Sequence, residues 1–333
     1  MTKVARLMEI EGPQALKIFE EEIPTPGPGE VLIKNHTMGL NRAEHMFMNN
    51  VYLATPPVPA RVGVESAGVI EAVGEGVTDF KVGQEVCVTP NLEMDKYGVI
   101  GEHCVVPASA VMNKPENLSW EEASSVWMAY PTAYGGLVFS GGLKQGAGQV
   151  VLISAASSSV GQPAIQIAKS FGATVIATSR TLEKAGPFKD AGADHVIATS
   201  EEDWPQKVLE ITGGKGFDIA FDPIAGAFTN QLGEAAAEDA TIVTYGVLSM
   251  EEHNPLPIFP MLLKRVKMTG FHLIFHMWHL PERWEEVKAH IIPKLEDGTY
   301  KPLIAKTFSL DEVADAYAFM EGGTQQGKII IKA

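Results

Sequence analysis

A doubly wound α/β domain with a parallel sheet, set between two stretches of a second, β-rich domain, is the fold class this chain predicts. Three observations carry it. Residues 149–161 read as a strand, a turn of small residues and a helix; strands and helices alternate from 126 to 274; and residues 1–125 hold short strands punctuated by Gly and Pro. At 333 residues the chain exceeds a usual single core, so two domains are expected.

In chain order, Val4–Ile10, Glu30–Met38, Gly68–Val73 and Gln84–Val88 read as strands, separated by turns such as Pro24–Gly29. Many short strands with little helix predict a compact barrel over 1–125. Over 126–274, Val150–Ile153, Ala173–Thr178, Phe217–Phe221 and Ala240–Tyr245 supply the strands of a parallel sheet, most ending near Gly, Pro or Asp. A helix around Leu310–Met320 and a closing strand Lys328–Lys332 follow, so 275–333 is expected to rejoin the first domain.

The turn is the most informative stretch. Val150–Ile153 is a buried strand, and Val160, Ala164, Ile165, Ile167 and Ala168 give the next helix its apolar stripe. Between them runs Ala155-x-x-Ser158-x-x-Gly161, an altered glycine fingerprint. Backbone N–H groups and the helix dipole converge at such a point on an anion, and only small side chains let a pyrophosphate approach. Ser157, Ser158, Ser159, Val160 and Gly161 are the candidate ligands. An ordinary strand-to-helix turn is the competing reading.

The following strand sharpens the choice. An NAD site places an acid at its end to hold the ribose hydroxyls. Here Ser179 and Arg180 follow, then Lys184. A hydroxyl and two cations suit a 2′-phosphate, which a carboxylate would repel, so NADPH is the expected cofactor. Glu183 opposes this, and a solvated Arg and Lys on a surface turn is the plainer alternative.

Composition sets limits. The formal charge of −15 disfavours nucleic acid or an anionic membrane as main partner. No apolar run reaches membrane-spanning length and the N-terminus lacks a secretory signal, so a soluble, cytoplasmic protein is expected. Two cysteines, Cys87 and Cys104, cannot build a disulfide framework and read as buried, inert thiols.

Short landmarks in a common order resemble one family along nearly the whole chain: Gly39–Asn41, Gly63–Val69, Val73–Gly83, Pro131–Tyr134, Gly192–Asp194, Phe221–Pro223 and Gly327-Lys328. The chain resembles the zinc-independent medium-chain dehydrogenases/reductases, close to NADPH quinone oxidoreductases and enoyl reductases. The resemblance implies a GroES-like barrel, 1–125 completed by 275–333, joined to a Rossmann domain, 126–274, with the active site in the cleft between them. It also implies a homodimer through the Rossmann sheets, with the strand Lys267–Leu273 as the candidate edge. Zinc-dependent relatives carry Cys and His where this chain has Asn41 and Val64, neither of which replaces such a ligand, so no metal is expected. Thr199 stands where related quinone reductases often carry a Tyr near the 2′-phosphate.

Hydride transfer without a metal needs an acceptor that spreads its own developing charge, as a quinone or an alkene conjugated to a carbonyl does. By resemblance, Asn41 and Tyr52 face the cleft from the barrel and Thr132 approaches the nicotinamide. Asn41 and Tyr52 are candidate donors to an enolate oxygen, with Tyr52 also a candidate proton relay. Tyr245 and Lys328 join Thr132 among the expected cofactor contacts. Met46, Phe47, Met48, Tyr130, Phe271 and Phe275 are candidate apolar walls for a planar small-molecule substrate, and core packing explains each equally well. Arg61 reads as a surface ion-pair residue. His272, His276 and His279 share helical spacing, but no carboxylate motif accompanies them, so pocket lining or a dimer surface is preferred to metal. Alternatives are an enoyl-thioester reductase and a non-catalytic NADPH-binding protein with a structural or regulatory duty.

Overall fold

The computed structural model describes residues 1–200 and 203–333, with the side chain of Lys184 left out. Two compact units emerge: Met1–Met128 with Ile291–Ala333, and Ala129–His290. The first boundary lies close to the expected 125/126. The return to the first unit comes at Ile291 rather than 275. The reason is the helix Pro281–Glu296, whose first half belongs to the second unit: Tyr134 donates to Glu286 at 2.9 Å, and the His290 ring lies 4.8 and 5.3 Å from the Tyr134 and Phe171 rings.

The first unit opens with β1 (Thr2–Leu7), β2 (Leu16–Glu21), β3 (Glu30–Gly39), helix α1 (Arg42–Met48), β4 (Ala60–Arg61), β5 (Ser66–Val73), β6 (Glu85–Val88), β7 (His103–Pro107), β8 (Val111–Asn113) and α2 (Trp120–Ala123). The period-two pattern of β3 explains its place: Ile33, Asn35 and Thr37 are buried while Lys34 and His36 face solvent.

The second unit contains α3 (Ala129–Tyr134), β9 (Val150–Ile153), α4 (Gly161–Ser170), β10 (Thr174–Ser179), α5 (Ala185–Asp190), β11 (His195–Ala198), α6 (Trp204–Ile211), β12 (Phe217–Asp222), α7 (Phe228–Ala235), β13 (Ala236–Thr244), α8 (Ile258–Lys264), β14 (Lys267–Gly270) and most of α9 (Pro281–Glu296). Its six strands lie in the order β11-β10-β9-β12-β13-β14, every pairing parallel. The chain starts in the middle at β9, winds outward through β10 and β11, then returns to β12 on the other side. That reversal beside β9 is where doubly wound sheets bind their ligands.

The chain closes with β15 (Ile304–Ser309), α10 (Val313–Glu321) and β16 (Lys328–Lys332). β16 pairs antiparallel with β3, matching Ile330 to Gly39, so the C-terminus completes the first unit's main sheet, β15-β16-β3-β5-β6-β8. The sheet pairings thus fix a GroES-like unit and a Rossmann unit. No helix among the described residues is long and apolar enough to cross a membrane.

Candidate cofactor and active site

Strand β9 is buried from Val151 to Ile153 and delivers the chain into the turn Ser154–Val160. Two details shape that turn. Ala155 adopts a left-handed backbone, φ 45°, the conformation a glycine supplies in the usual fingerprint. Gly161 packs so tightly that a Cβ there would lie 2.7 Å from the Ala156 Cα and carbonyl oxygen. The turn is tied to the sheet by the Ala156 N–H, which donates to the Thr178 carbonyl at 3.0 Å.

Ser157, Ser158, Ser159 and Val160 are all half-buried. Among the described residues nothing accepts from the N–H groups of Ser157, Ser159 or Val160, so three donors remain at the mouth of α4. Gly161 differs from expectation, because its N–H is already satisfied by the Ser158 hydroxyl oxygen at 3.0 Å. Ser158 accepts in that bond and keeps its own hydrogen to donate.

Two buried polar atoms flank the turn without a hydrogen-bond partner, the Tyr245 phenol and the Thr178 hydroxyl. Burial pushes the Tyr245 pKa far up, and the Ser158 hydroxyl lies close enough to oppose that rise without reaching hydrogen-bond geometry. The Tyr245 ring stacks on Phe221 at 3.9 Å and 14°, which fixes it in place. An orphaned buried donor costs about 1–3 kcal/mol, so its retention here matches a ligand that completes it. Open N–H groups, an unpaired phenol and a close-packed glycine fit the pyrophosphate of a dinucleotide.

At the end of β10, Ser179 is buried and donates its hydroxyl hydrogen to the Thr181 carbonyl, so its oxygen is left only to accept. That removes it as a donor to a 2′-phosphate. Arg180 is exposed. Lys184 ends the short turn after it, and its side chain lies outside the described residues. Thr132 is buried on α3, whose Tyr130 phenol donates to Gln166 on α4 at 2.9 Å.

The first unit holds a different arrangement. Asn41, at the start of α1, donates from Nδ2 to the Gly39 carbonyl and Glu44 Oε1, both at 3.1 Å, and its Oδ1 accepts from Lys328 Nζ at 2.7 Å. Lys328 also pairs with Glu65 at 2.5 Å, and both side chains are fully buried. Glu65 further accepts from the N–H groups of Trp127 and Met128 at 2.6 and 3.0 Å. Glu44, buried and held above the usual carboxylate range by that burial, accepts from Asn41 and Val64 N–H and from the Tyr317 phenol at 2.7 Å. Gly39 makes room for this network: a Cβ there would sit 2.0 Å from the Ser124 carbonyl oxygen and 2.7 Å from Lys328 Cε.

This geometry corrects one expectation and bears on a second. Both amide hydrogens of Asn41 are committed inside the fold, so it has none to offer a substrate oxygen. Lys328 lies in the first unit and gives two of its three ammonium hydrogens to Asn41 and Glu65. Glu44 and Glu65 were missed, although Glu65 sits inside a quoted landmark; only the tertiary pairing reveals their partners.

Tyr52 follows α1 in a loop, half-buried against the same core. Burial, aided by the nearby Glu44, pushes its pKa up to about 12, so the phenol stays protonated. Phe47, Met48, Tyr130 and Phe271 are buried, whereas Phe275 is half-exposed. Arg61 is half-buried and donates to the His103 carbonyl at 3.0 Å instead of forming the expected surface ion pair. His276 Nδ1 accepts from the His272 N–H at 3.1 Å, which turns that nitrogen to the backbone. No group of three or more His, Cys, Asp or Glu among the described residues is placed to hold a metal ion.

Comparison with known proteins agrees with this division. An alcohol dehydrogenase GroES-like domain matches residues 27–116, and a zinc-binding dehydrogenase domain matches 159–291. The human quinone oxidoreductase is 28% identical over 333 residues, covering 99% of this chain and 98% of that protein. A 2-haloacrylate reductase from Burkholderia sp is 28% identical, covering 99% of each. Among solved structures, an NAD-dependent alcohol dehydrogenase superposes with a TM-score of 0.90 at 28% identity, covering 99% of both chains. A mycobacterial protein in complex with NADPH superposes at 0.88 and 26%, covering all of both. The protein is thus an oxidoreductase built for a nicotinamide cofactor. The chain belongs to the quinone oxidoreductase family of the medium-chain dehydrogenases/reductases.

Proposed function

We propose that this protein is an NADPH-dependent reductase of quinones or of alkenes conjugated to a carbonyl. The observation that carries the reading is the turn Ser157–Gly161 with the unpaired Tyr245 phenol, followed at the end of β10 by Arg180 where an NAD site would place an acid. Relatives named for a quinone and for 2-haloacrylate support an electron-poor acceptor. The structural neighbours include one named for NAD and one bound to NADPH, so the preference rests on this chain's own Arg180 at the end of β10.

When bound, a reduced nicotinamide supplies the hydride. The chain's part is to bind and to steer protons. The N–H groups of Ser157, Ser159 and Val160 and the Tyr245 phenol hold the pyrophosphate, and Arg180 holds the 2′-phosphate by a charge-assisted hydrogen bond. Tyr52, protonated at any working pH, donates a hydrogen bond to the substrate oxygen as negative charge gathers there.

The test compares Kd for NADPH and NADH in the parent and in Arg180→Ala, then follows NADPH oxidation with quinones, enones and enoyl thioesters in parallel. A clear NADPH preference that falls with Arg180→Ala, with turnover of quinones or enones, supports the reading. No preference in the parent, or turnover of thioesters alone, overturns it; tight binding with no turnover would favour the structural or regulatory alternative.

We further propose a homodimer along the outer edge of β14. That strand ends the sheet, and the adjacent α8 leaves Phe259, Leu262 and Leu263 more than 70% exposed, an apolar face that a second copy would cover. Light scattering should report a dimer that Leu263→Asp converts to a monomer.

A further inference from the structure

Strands β10 and β11 pair in parallel up to Ser179 against Ala198, and the two chains do not separate there. The Thr199 N–H and hydroxyl both donate to the Ser179 carbonyl, at 2.8 and 3.3 Å. The Ser200 N–H donates to the Arg180 carbonyl at 3.2 Å, and the Ser200 hydroxyl donates to the same oxygen. Two consecutive carbonyls, those of the residues at the end of the ribose-binding strand, are therefore each held twice by two consecutive hydroxyl residues.

This is more than the sheet needs. A parallel ladder supplies each carbonyl with one N–H, and an exposed segment would ordinarily satisfy its second lone pair with water. The second bond comes in both cases from a side chain, and both side chains sit outside the strand proper. The Ser179 hydroxyl locks the next carbonyl, that of Thr181, in the same way. The result is a stretch, Ser179–Thr181, whose backbone is fixed on both sides of Arg180 while the Arg180 side chain is exposed.

A guanidinium recognises a phosphate through a planar fork, so its affinity depends on where its Cα is held and in what orientation. We infer that Thr199 and Ser200 are positioning residues for cofactor selection: their hydroxyls hold the Ser179 and Arg180 carbonyls so that Arg180 is presented to the 2′-phosphate of NADPH. Neither hydroxyl touches the phosphate in this arrangement, since each already donates its single hydrogen to the backbone. The inference rests on the NADPH reading above.

The test measures Kd for NADPH and NADH by cofactor fluorescence in the absence of substrate, using the parent, Arg180→Ala, Thr199→Val/Ser200→Ala and all three changes together. The hydroxyl-free pair should weaken NADPH binding about five-fold, the scale of one hydrogen bond, and leave NADH binding unchanged. Thr199→Ser/Ser200→Thr should restore the parent value. In the Arg180→Ala background, removing the hydroxyls should have no further effect, because the group they position is gone. A parent without NADPH preference would overturn both the reading and the inference. A preference lost in Arg180→Ala but kept in Thr199→Val/Ser200→Ala would overturn the inference alone, as would equal weakening of both cofactors.

Discussion

The buried network of the first unit and the small-residue turn of the second are opposites in polar chemistry. Asn41, Glu44, Glu65, Lys328 and Tyr317 bring two carboxylates, an ammonium, an amide and a phenol into a dry interior, and each finds a partner inside the fold. Around Ser157–Gly161 the side chains are small and half-exposed, yet three N–H groups, the Tyr245 phenol and the Thr178 hydroxyl go unanswered. Saturation marks a group that serves the fold; an orphaned donor on a fixed frame marks a group that awaits a ligand.

The largest effect should come from breaking the saturated network. Lys328→Met leaves Glu65 buried without its countercharge, and unpairing a buried ion pair typically costs about 3–5 kcal/mol. Urea unfolding should show that loss, and a stability within 1 kcal/mol of the parent (roughly the effect of an ordinary surface change) would mean the pair is dispensable.

The next effect lies in the turn. Gly161→Ala forces a Cβ against the Ala156 backbone, so the N–H frame must shift. Binding of NADPH should weaken at least about ten-fold, or 1.4 kcal/mol, by isothermal titration. Unchanged affinity would show that the turn does not hold the cofactor.

A matched pair of phenol deletions sharpens the comparison further. Tyr317→Phe removes a hydrogen bond to the buried Glu44, so it should lower stability by about 1–3 kcal/mol and leave cofactor affinity alone. Tyr245→Phe removes a hydroxyl that the fold itself leaves unpaired, so stability should hold while NADPH affinity falls several-fold. The reverse pattern would invert the assignment of the two regions.

The smallest signal is chemical. Burial raises the thiols of Cys87 and Cys104 to about 12 and about 11, so neither forms much thiolate near neutrality. A thiol reagent at pH 8 should label neither in the native protein and both after unfolding. Tyr52 adds a pH expectation of the same origin. Its folded pKa lies above the ordinary value of 10, so the protonated form favours the fold below pH 10 and that contribution fades as pH rises towards 12. Activity should therefore show no alkaline limb from Tyr52 below about pH 10.

Much of this was legible in the residues. The strand, small-residue turn and helix of 149–161 were readable from local pattern, and the return of Lys328–Lys332 to the first unit followed from a strand left over after the α/β pattern ended. Asn41 and Lys328 show what a sequence leaves undecided. An amide and an ammonium look available in a sequence, and whether they are depends on neighbours far along the chain, here Glu44, Glu65 and each other. The local pattern left Phe47 and Tyr130 open between core and pocket wall, and in the fold both rings are buried.

Periodicity and turn chemistry are local, and they determined the two-unit architecture, the small-residue turn and the cation at the end of β10 without help from the fold. Which polar groups are spent and which are open is a property of contacts between residues up to 287 positions apart, as with Asn41 and Lys328. Only the folded chain decides that, because a hydrogen bond is a matter of distance and direction, and neither is written in the order of the residues.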